Sequence, residues 1–264
     1  MICISRYNED LSWTLEFPFN QFKYVVYNKG INDAFEKKHV VQVINLPNVG
    51  RCDHTYLYHV VTHYHSLPDV VVFLPGSTDM NHKKIIATKL LMNVLQKKKA
   101  SFIGGESSIL HAFSNFSQEE YCCQNPINQA LNNESKVYPC PQRPFGKWFV
   151  EHEFTNVPYY CFYGVFSVDK RDILQHHMER YQQLVDELAV HSNPEVGHYI
   201  ERAWASIFGP LKYTLFEKCY SNIYSNEPHA HVADELNIPI PNVVKRDNRI
   251  KMKFLKKRNL LHLH

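Results

Sequence analysis

The 264-residue chain has only nine glycines, and no Walker loop or G-x-G-x-x-G among them. The second absence weakens a nicotinamide-dehydrogenase reading. G-x-S-x-G, H-E-x-x-H and EF-hand spacings are missing too. No run approaches the ~18 to 20 apolar residues that a membrane span needs, so no transmembrane segment is expected. The N-terminus, Met1-Ile2-Cys3-Ile4-Ser5-Arg6, lacks a basic n-region and a long apolar stretch, so no signal peptide is expected. Seven cysteines lie scattered without a C-x-x-C pair. That argues against a zinc ribbon or a secreted disulfide framework, and for reduced thiols in the cytoplasm. Cys122, Cys123 and Cys140 share one polar segment and are the set an oxidant would join. Net charge is low as well: 29 Lys+Arg against 26 Asp+Glu leave +3, so nucleic acid is not expected as the main partner.

What is present is an ordinary globular composition, 44% apolar and 21% charged, long enough for a real core. Charge is uneven along the chain. Residues 245–264 hold eight Lys/Arg and one acid, a local +7, so the remaining residues carry −4. This basic tail reads as a solvated segment or as an arm laid on a polyanion. Sixteen histidines invite a metal hypothesis, with His59, His63 and His65 close together and His229 two before His231. Scattered histidines are more often hydrogen-bonded or surface residues, and zinc would want a further ligand.

Residues 1–100 alternate between short strands and helices. Strands are expected at Ile2–Ser5, Lys23–Tyr27, His39–Ile44 and Val70–Leu74, the last as a continuous apolar run. Helices are expected at Asp10–Glu16, Arg51–His65 and Asn81–Lys98. Residues 104–147 are polar and weakly periodic, an excursion. Order returns as a strand over Tyr159–Val168, a helix over Asp169–Val190, and a helix opened by Asn193-Pro194-Glu195 and ended by Gly209-Pro210. The pattern predicts an α/β fold with a mixed, mostly parallel sheet and helices on both faces. Ligands then bind beyond the carboxyl ends of the strands. Loops leave those ends at Arg6-Tyr7-Asn8-Glu9-Asp10, Asn28-Lys29-Gly30 and Pro75-Gly76-Ser77-Thr78-Asp79. A fourth, Asn48-Val49-Gly50-Arg51, opens a helix whose N-terminus favours anions. All four should converge on one crevice.

An ordered set of phrases is more specific. Ser5-Arg6-Tyr7-Asn8-Glu9-Asp10 closes the first strand, Tyr27-Asn28-Lys29-Gly30 the second. Leu46-Pro47-Asn48-Val49-Gly50-Arg51, Val72-Phe73-Leu74-Pro75-Gly76 and Gly197-His198-Tyr199-Ile200-Glu201-Arg202-Ala203-Trp204 follow. Over roughly residues 1–100 and 145–210 the set resembles a glycosyltransferase-like family long catalogued as a domain of unknown function, with members in fungi and large DNA viruses. The resemblance implies the GT-A fold in one domain spanning 1–264. Residues 1–100 would form the nucleotide-sugar half, 101–210 the acceptor half with the 104–147 insertion, and 211–264 a C-terminal extension. It implies a UDP-sugar donor, a glycan acceptor and a cytoplasmic enzyme, in the host cytoplasm if the source is viral. The sequence departs from the family pattern at Pro75, where Gln is usual, and at Cys52, where Glu is usual. It also has no Asp-x-Asp, the cation-holding motif of many GT-A enzymes.

The chemistry then sets requirements. Negative charge develops on the leaving diphosphate and must be met by Mn²⁺ or Mg²⁺, or by cationic side chains. Asp79 is the expected metal carboxylate, and Arg6, Lys29 and Arg51 are the alternative cations. Arg6, Tyr7, Asn8, Glu9, Asn28, Lys29, Asn48, Arg51, Gly76 and Ser77 are expected to hold the donor. Asn28, Arg51 and Asp79 should share one cavity. An inverting enzyme needs a general base, expected at Glu201 with Glu195 in reserve; Glu201 in a Glu-Arg pair also reads as structural. Two other classes compete: a binding module of the same fold without catalysis, and a nucleic-acid protein using the basic tail, with steeply salt-dependent affinity.

Overall fold

The computed structural model describes residues 1–119 and 136–218. The basic tail, the middle of the insertion, Cys122, Cys123, Cys219, His229 and His231 lie outside the described residues. The described residues belong to one compact unit.

Four strands run parallel: β1 (Ile2–Arg6), β2 (Tyr24–Asn28), β3 (Val40–Asn45) and β4 (Val70–Pro75). The fifth, β7 (Phe166–Asp169), is antiparallel to β4. The order is β3-β2-β1-β4-β7. A second sheet holds β5 (Ser101–Glu106) between β6 (Tyr159–Tyr160) and β8 (Leu215–Lys218). The helices are α1 (Arg51–Thr62), α2 (Asn81–Lys97), α3 (Ile109–Phe113), α4 (Phe145–Glu151), α5 (Lys170–Leu174), α6 (Met178–Leu188) and α7 (Glu195–Ile207). Short 3₁₀ turns stand at Ser12–Leu15, Phe19–Gln21 and Gly76–Asp79. The chain is thus mixed α/β with a mostly parallel central sheet, consistent with a Rossmann-like arrangement.

β1, β2 and β4 lie in the middle of the sheet and are apolar nearly throughout, because both faces are covered. On one face Cys3, Val25, Tyr27, Val71 and Phe73 join the core of α1, α6 and α7, with Tyr56, Leu184 and Trp204. Their alternate neighbours Ile4, Val26, Val72 and Leu74 are buried on the other face. β3 is an edge strand, and its Val41 and Val43 are exposed.

Three expected elements differ. The strand expected at Tyr159–Val168 is two strands in different sheets. Between them Tyr163 (φ 68) and Gly164 (φ 64) turn the chain through the left-handed region, which ends the extended run. The helix expected over Asp169–Val190 breaks at His177, which is extended. There Gln175 donates to the carbonyls of Phe208 and Pro210, and Tyr64 donates to the carbonyl of His176, so tertiary bonds replace helical ones. The helix expected at Asp10–Glu16 is a single 3₁₀ turn, in which Asp10 accepts from Ser12 at its mouth.

Candidate active site

The carboxyl ends of the parallel strands stand side by side. Arg6 is paired in register with Asn28, Asn28 with Asn45, and Ser5 with Pro75. The order of strands reverses between β1 and β4, which is where a sheet of this kind opens a crevice. Arg6 is buried and knits this edge. Its Nη1 donates to Asn28 Oδ1 at 2.6 Å, its Nε to the carbonyl of Glu9 at 2.6 Å, and its guanidinium lies over the Phe35 ring. Nη2 is buried without a partner. Two glycines let the loops close up. A Cβ on Gly30 would lie 1.9 Å from the Tyr7 carbonyl, and one on Gly76 would lie 2.6 Å from the Glu9 carboxylate. That carboxylate accepts from the backbone of Tyr7 (2.7 Å) and Asn8 (3.1 Å). The loops after β1, β2 and β4 therefore touch, through side chains of small size or short reach.

The start of α1 supplies the next wall. Arg51 is left-handed (φ 53), an uncommon state for a side-chain-bearing residue. Lys29 holds it there by donating to the carbonyls of Val49 and Arg51. Burial pulls the Lys29 ammonium down to about 8, partly offset by Cys52 and Asp53. The Arg51 guanidinium is exposed and donates to Asn193 at 3.2 Å, beside the start of α7.

Behind Arg51 lies Asp53, 1% exposed. The Trp204 indole of α7 donates to it at 3.0 Å. Burial, and then the charge of Glu201, raise its carboxyl to about 7, against the pull of Arg51 and Trp204. Glu201 itself is half-buried on α7 and accepts the backbone N–H of the strained Tyr163 at 2.9 Å. Opposite stands Lys83, in the first turn of α2, donating to Ser77 Oγ at 2.7 Å. Burial lowers its ammonium, while Glu201 and Glu9 support it.

The expected residues thus separate. Arg6, Asn28 and Lys29 meet at the strand ends, but their polar atoms mostly hold the loops. Glu9, Gly76 and Ser77 border Lys83, and Arg51 joins the cluster with Asp53 and Glu201. Tyr7, Asn8 and Asn48 are exposed on the loops at this edge. Asn28 lines an open concavity of about 520 Å³ with Gly30, Ile31, Asp33, Val43 and Asn45. Neither Arg51 nor Asp79 lines it, so the three residues expected in one cavity do not share this one. Asp79 ends its 3₁₀ turn exposed, and no three His, Cys, Asp or Glu side chains gather into a metal-ligand group among the described residues. His59 is buried, takes part in a hydrogen bond with Tyr27 Oη at 2.9 Å and stacks on His63.

Glu195 lies elsewhere. It is 0% exposed and accepts from Gln118 N (3.0 Å), Cys140 N (2.7 Å), Arg143 Nε and Tyr199 Oη (3.0 Å). Four donors fill this carboxylate, and it anchors both flanks of the insertion, which leaves it no part in proton transfer. Glu195→Ala leaves these donors facing a void. It is expected to cost about 3 to 5 kcal/mol of unfolding free energy, measured by denaturant titration. A loss under about 1 kcal/mol contradicts the anchoring role.

Lys83 and Asp53 were missed by sequence reasoning. Lys83 looks like one more outward lysine of an amphipathic helix. Asp53 looks like an acid complementing a helix N-terminus.

With this geometry in place, comparison with known proteins adds one decisive finding. Residues 1–225 match the model of the family described as "Protein of unknown function (DUF3431)". The chain belongs to the DUF3431 family. No curated protein and no solved structure matches it. The DUF3431 match spans both the strand-end loops and the helix that carries Glu201. No helix among its described residues is long and apolar enough to cross a membrane.

Proposed function

We propose that this DUF3431 protein is a glycosyltransferase of the GT-A kind, moving a sugar from a UDP-sugar to a glycan hydroxyl with inversion. The observation that supports this most is the meeting of Arg51, Ser77, Lys83 and the half-buried Glu201 around the β1/β4 switch point. Cations and a carboxylate there lie within electrostatic reach of one another, as displacement at an anomeric carbon requires. In this reading the nucleoside takes the concavity at Asn28, Asp33 and Asn45. Glu201 accepts the proton of the acceptor hydroxyl as its oxygen bonds to the anomeric carbon. The bond from that carbon to the diphosphate breaks, and its electron pair leaves with the diphosphate oxygen.

The isolated Asp79 favours a second reading, a module of the same fold that binds nucleotide or glycan without turnover. One screen separates the two: the full chain with UDP- and GDP-sugars, with and without Mn²⁺, read by calorimetric binding and donor hydrolysis. Turnover of a UDP-sugar is expected. Binding without turnover supports the second reading, and no binding of any nucleotide sugar overturns the transferase and the nucleotide-binding module alike.

A further inference from the structure

We propose that Lys83 is a catalytic cation that binds the diphosphate of the nucleotide, with Arg51 as its partner. This rests on the transferase reading. Lys83 projects from the first turn of a 17-residue helix to the carboxyl end of β4. Its Nζ reaches Ser77 Oγ at 2.7 Å, which fixes the ammonium at the strand end rather than in solvent. Its neighbours on the same helix behave otherwise: Lys84 pairs with Glu16 at 2.7 Å, and Lys89 with Glu217 at 3.0 Å.

Around Lys83 the fold places charges of both signs. Arg51, Glu9 and Glu201 all lie near enough to act on its charge. The Glu9 carboxylate is engaged by two backbone N–H groups and pressed on Gly76. The Arg51 guanidinium, exposed and bonded to Asn193 by one nitrogen, keeps further donors. An ammonium carries three donors, and Ser77 uses one of those on Lys83. Two cations with open donors, one fixed by a hydroxyl and one by a strained backbone, match a group with several charged oxygens. A diphosphate at a switch point is that group. As the bond to the anomeric carbon breaks, the ammonium meets the charge that grows on the leaving oxygen.

The test uses the full chain, with inorganic diphosphate and UDP as calorimetric probes. Lys83→Met keeps the aliphatic stem and removes the charge. It is expected to weaken both probes about tenfold or more and to lower kcat/KM with a UDP-sugar about 100-fold. Lys83→Arg is expected to restore much of the binding, and Lys84→Met to change neither. Equal affinity of wild type and Lys83→Met for UDP overturns the role of Lys83 and leaves the transferase reading standing. Wild type binding sulfate as tightly as inorganic diphosphate reduces the site to a general anion patch and overturns the diphosphate assignment. Failure of the wild type to bind any nucleotide overturns the reading itself.

Discussion

Glu201→Gln is expected to lower sugar transfer by about 10³-fold while leaving UDP affinity within about twofold of wild type. The hydrogen bond that Glu201 makes decides why glutamine is the informative replacement. Its Oε1 accepts from the N–H of Tyr163, which sits in the left-handed region. A glutamine carbonyl accepts the same bond, so the turn keeps its support and the side chain loses only its charge and basicity. Glu201→Ala removes both, and its lower stability separates the structural part from the chemical one. The variant has a second readout. The Glu201 charge is one of the causes that raise the Asp53 carboxyl, so glutamine lets Asp53 fall from about 7. Calorimetric binding at several pH values, with product formation followed by mass spectrometry, checks both. Unchanged transfer removes Glu201 as the base. Lost UDP binding with an intact fold moves it to the donor side.

The central strands and α1 and α2 are legible from sequence because burial on two faces, or on one stripe, writes a local pattern. Val70–Leu74 is continuous, and Tyr56, Leu57 and Val60 recur at helical spacing. The boundaries move by one to three residues, the ordinary scatter of element ends. What fails is decided by distant contacts. Nothing within Tyr159–Val168 except Gly164 announces the turn that brings Tyr163 to Glu201. The break at His177 depends on Phe208, Gly209 and Pro210, some thirty residues on. At the site the loops were legible as strand ends, yet the division of labour within them was not. Lys29 and Arg6 read as ligands for phosphate, but the folded chain needs their donors for its own carbonyls. Lys83, lost among the outward lysines of its helix, keeps donors beyond the one that Ser77 takes. A buried Asp53 likewise owes its unusual proton affinity to burial and to the charge of Glu201, which stands far downstream in sequence.

Acid is expected to unfold the protein steeply, with stability falling about 3 kcal/mol per pH unit between roughly pH 6 and 4. Three buried histidines cause it. Burial, with Lys29 nearby, pulls His54 down to about 4. Burial, with His63 stacked on it, pulls His59 down to about 3. Burial beside Arg51 and Arg202 holds His198 well below its ordinary value. Each stays neutral in the folded chain where its unfolded form, with a pKa near 6.5, takes up a proton. A depressed folded pKa gives stability that is present above the unfolded value and lost as pH falls towards the folded one. Each such group contributes about 1.4 kcal/mol per pH unit in that window. Asp53 works the other way. Its folded pKa of about 7 lies above the unfolded one. Its contribution is therefore full below about pH 4 and disappears as pH rises through 7. Three histidines against one carboxyl leave a net fall of roughly this size, to which the lowering of His176 by burial adds. Urea midpoints at pH 7, 6, 5 and 4 measure it, and a flat midpoint from 6 to 4 contradicts it. Asp53→Asn removes the opposing group, so its curve should fall more steeply with acid than that of the wild type, by about 1.4 kcal/mol per unit. The same experiment thus reads a carboxyl of the candidate site through stability, with no substrate present.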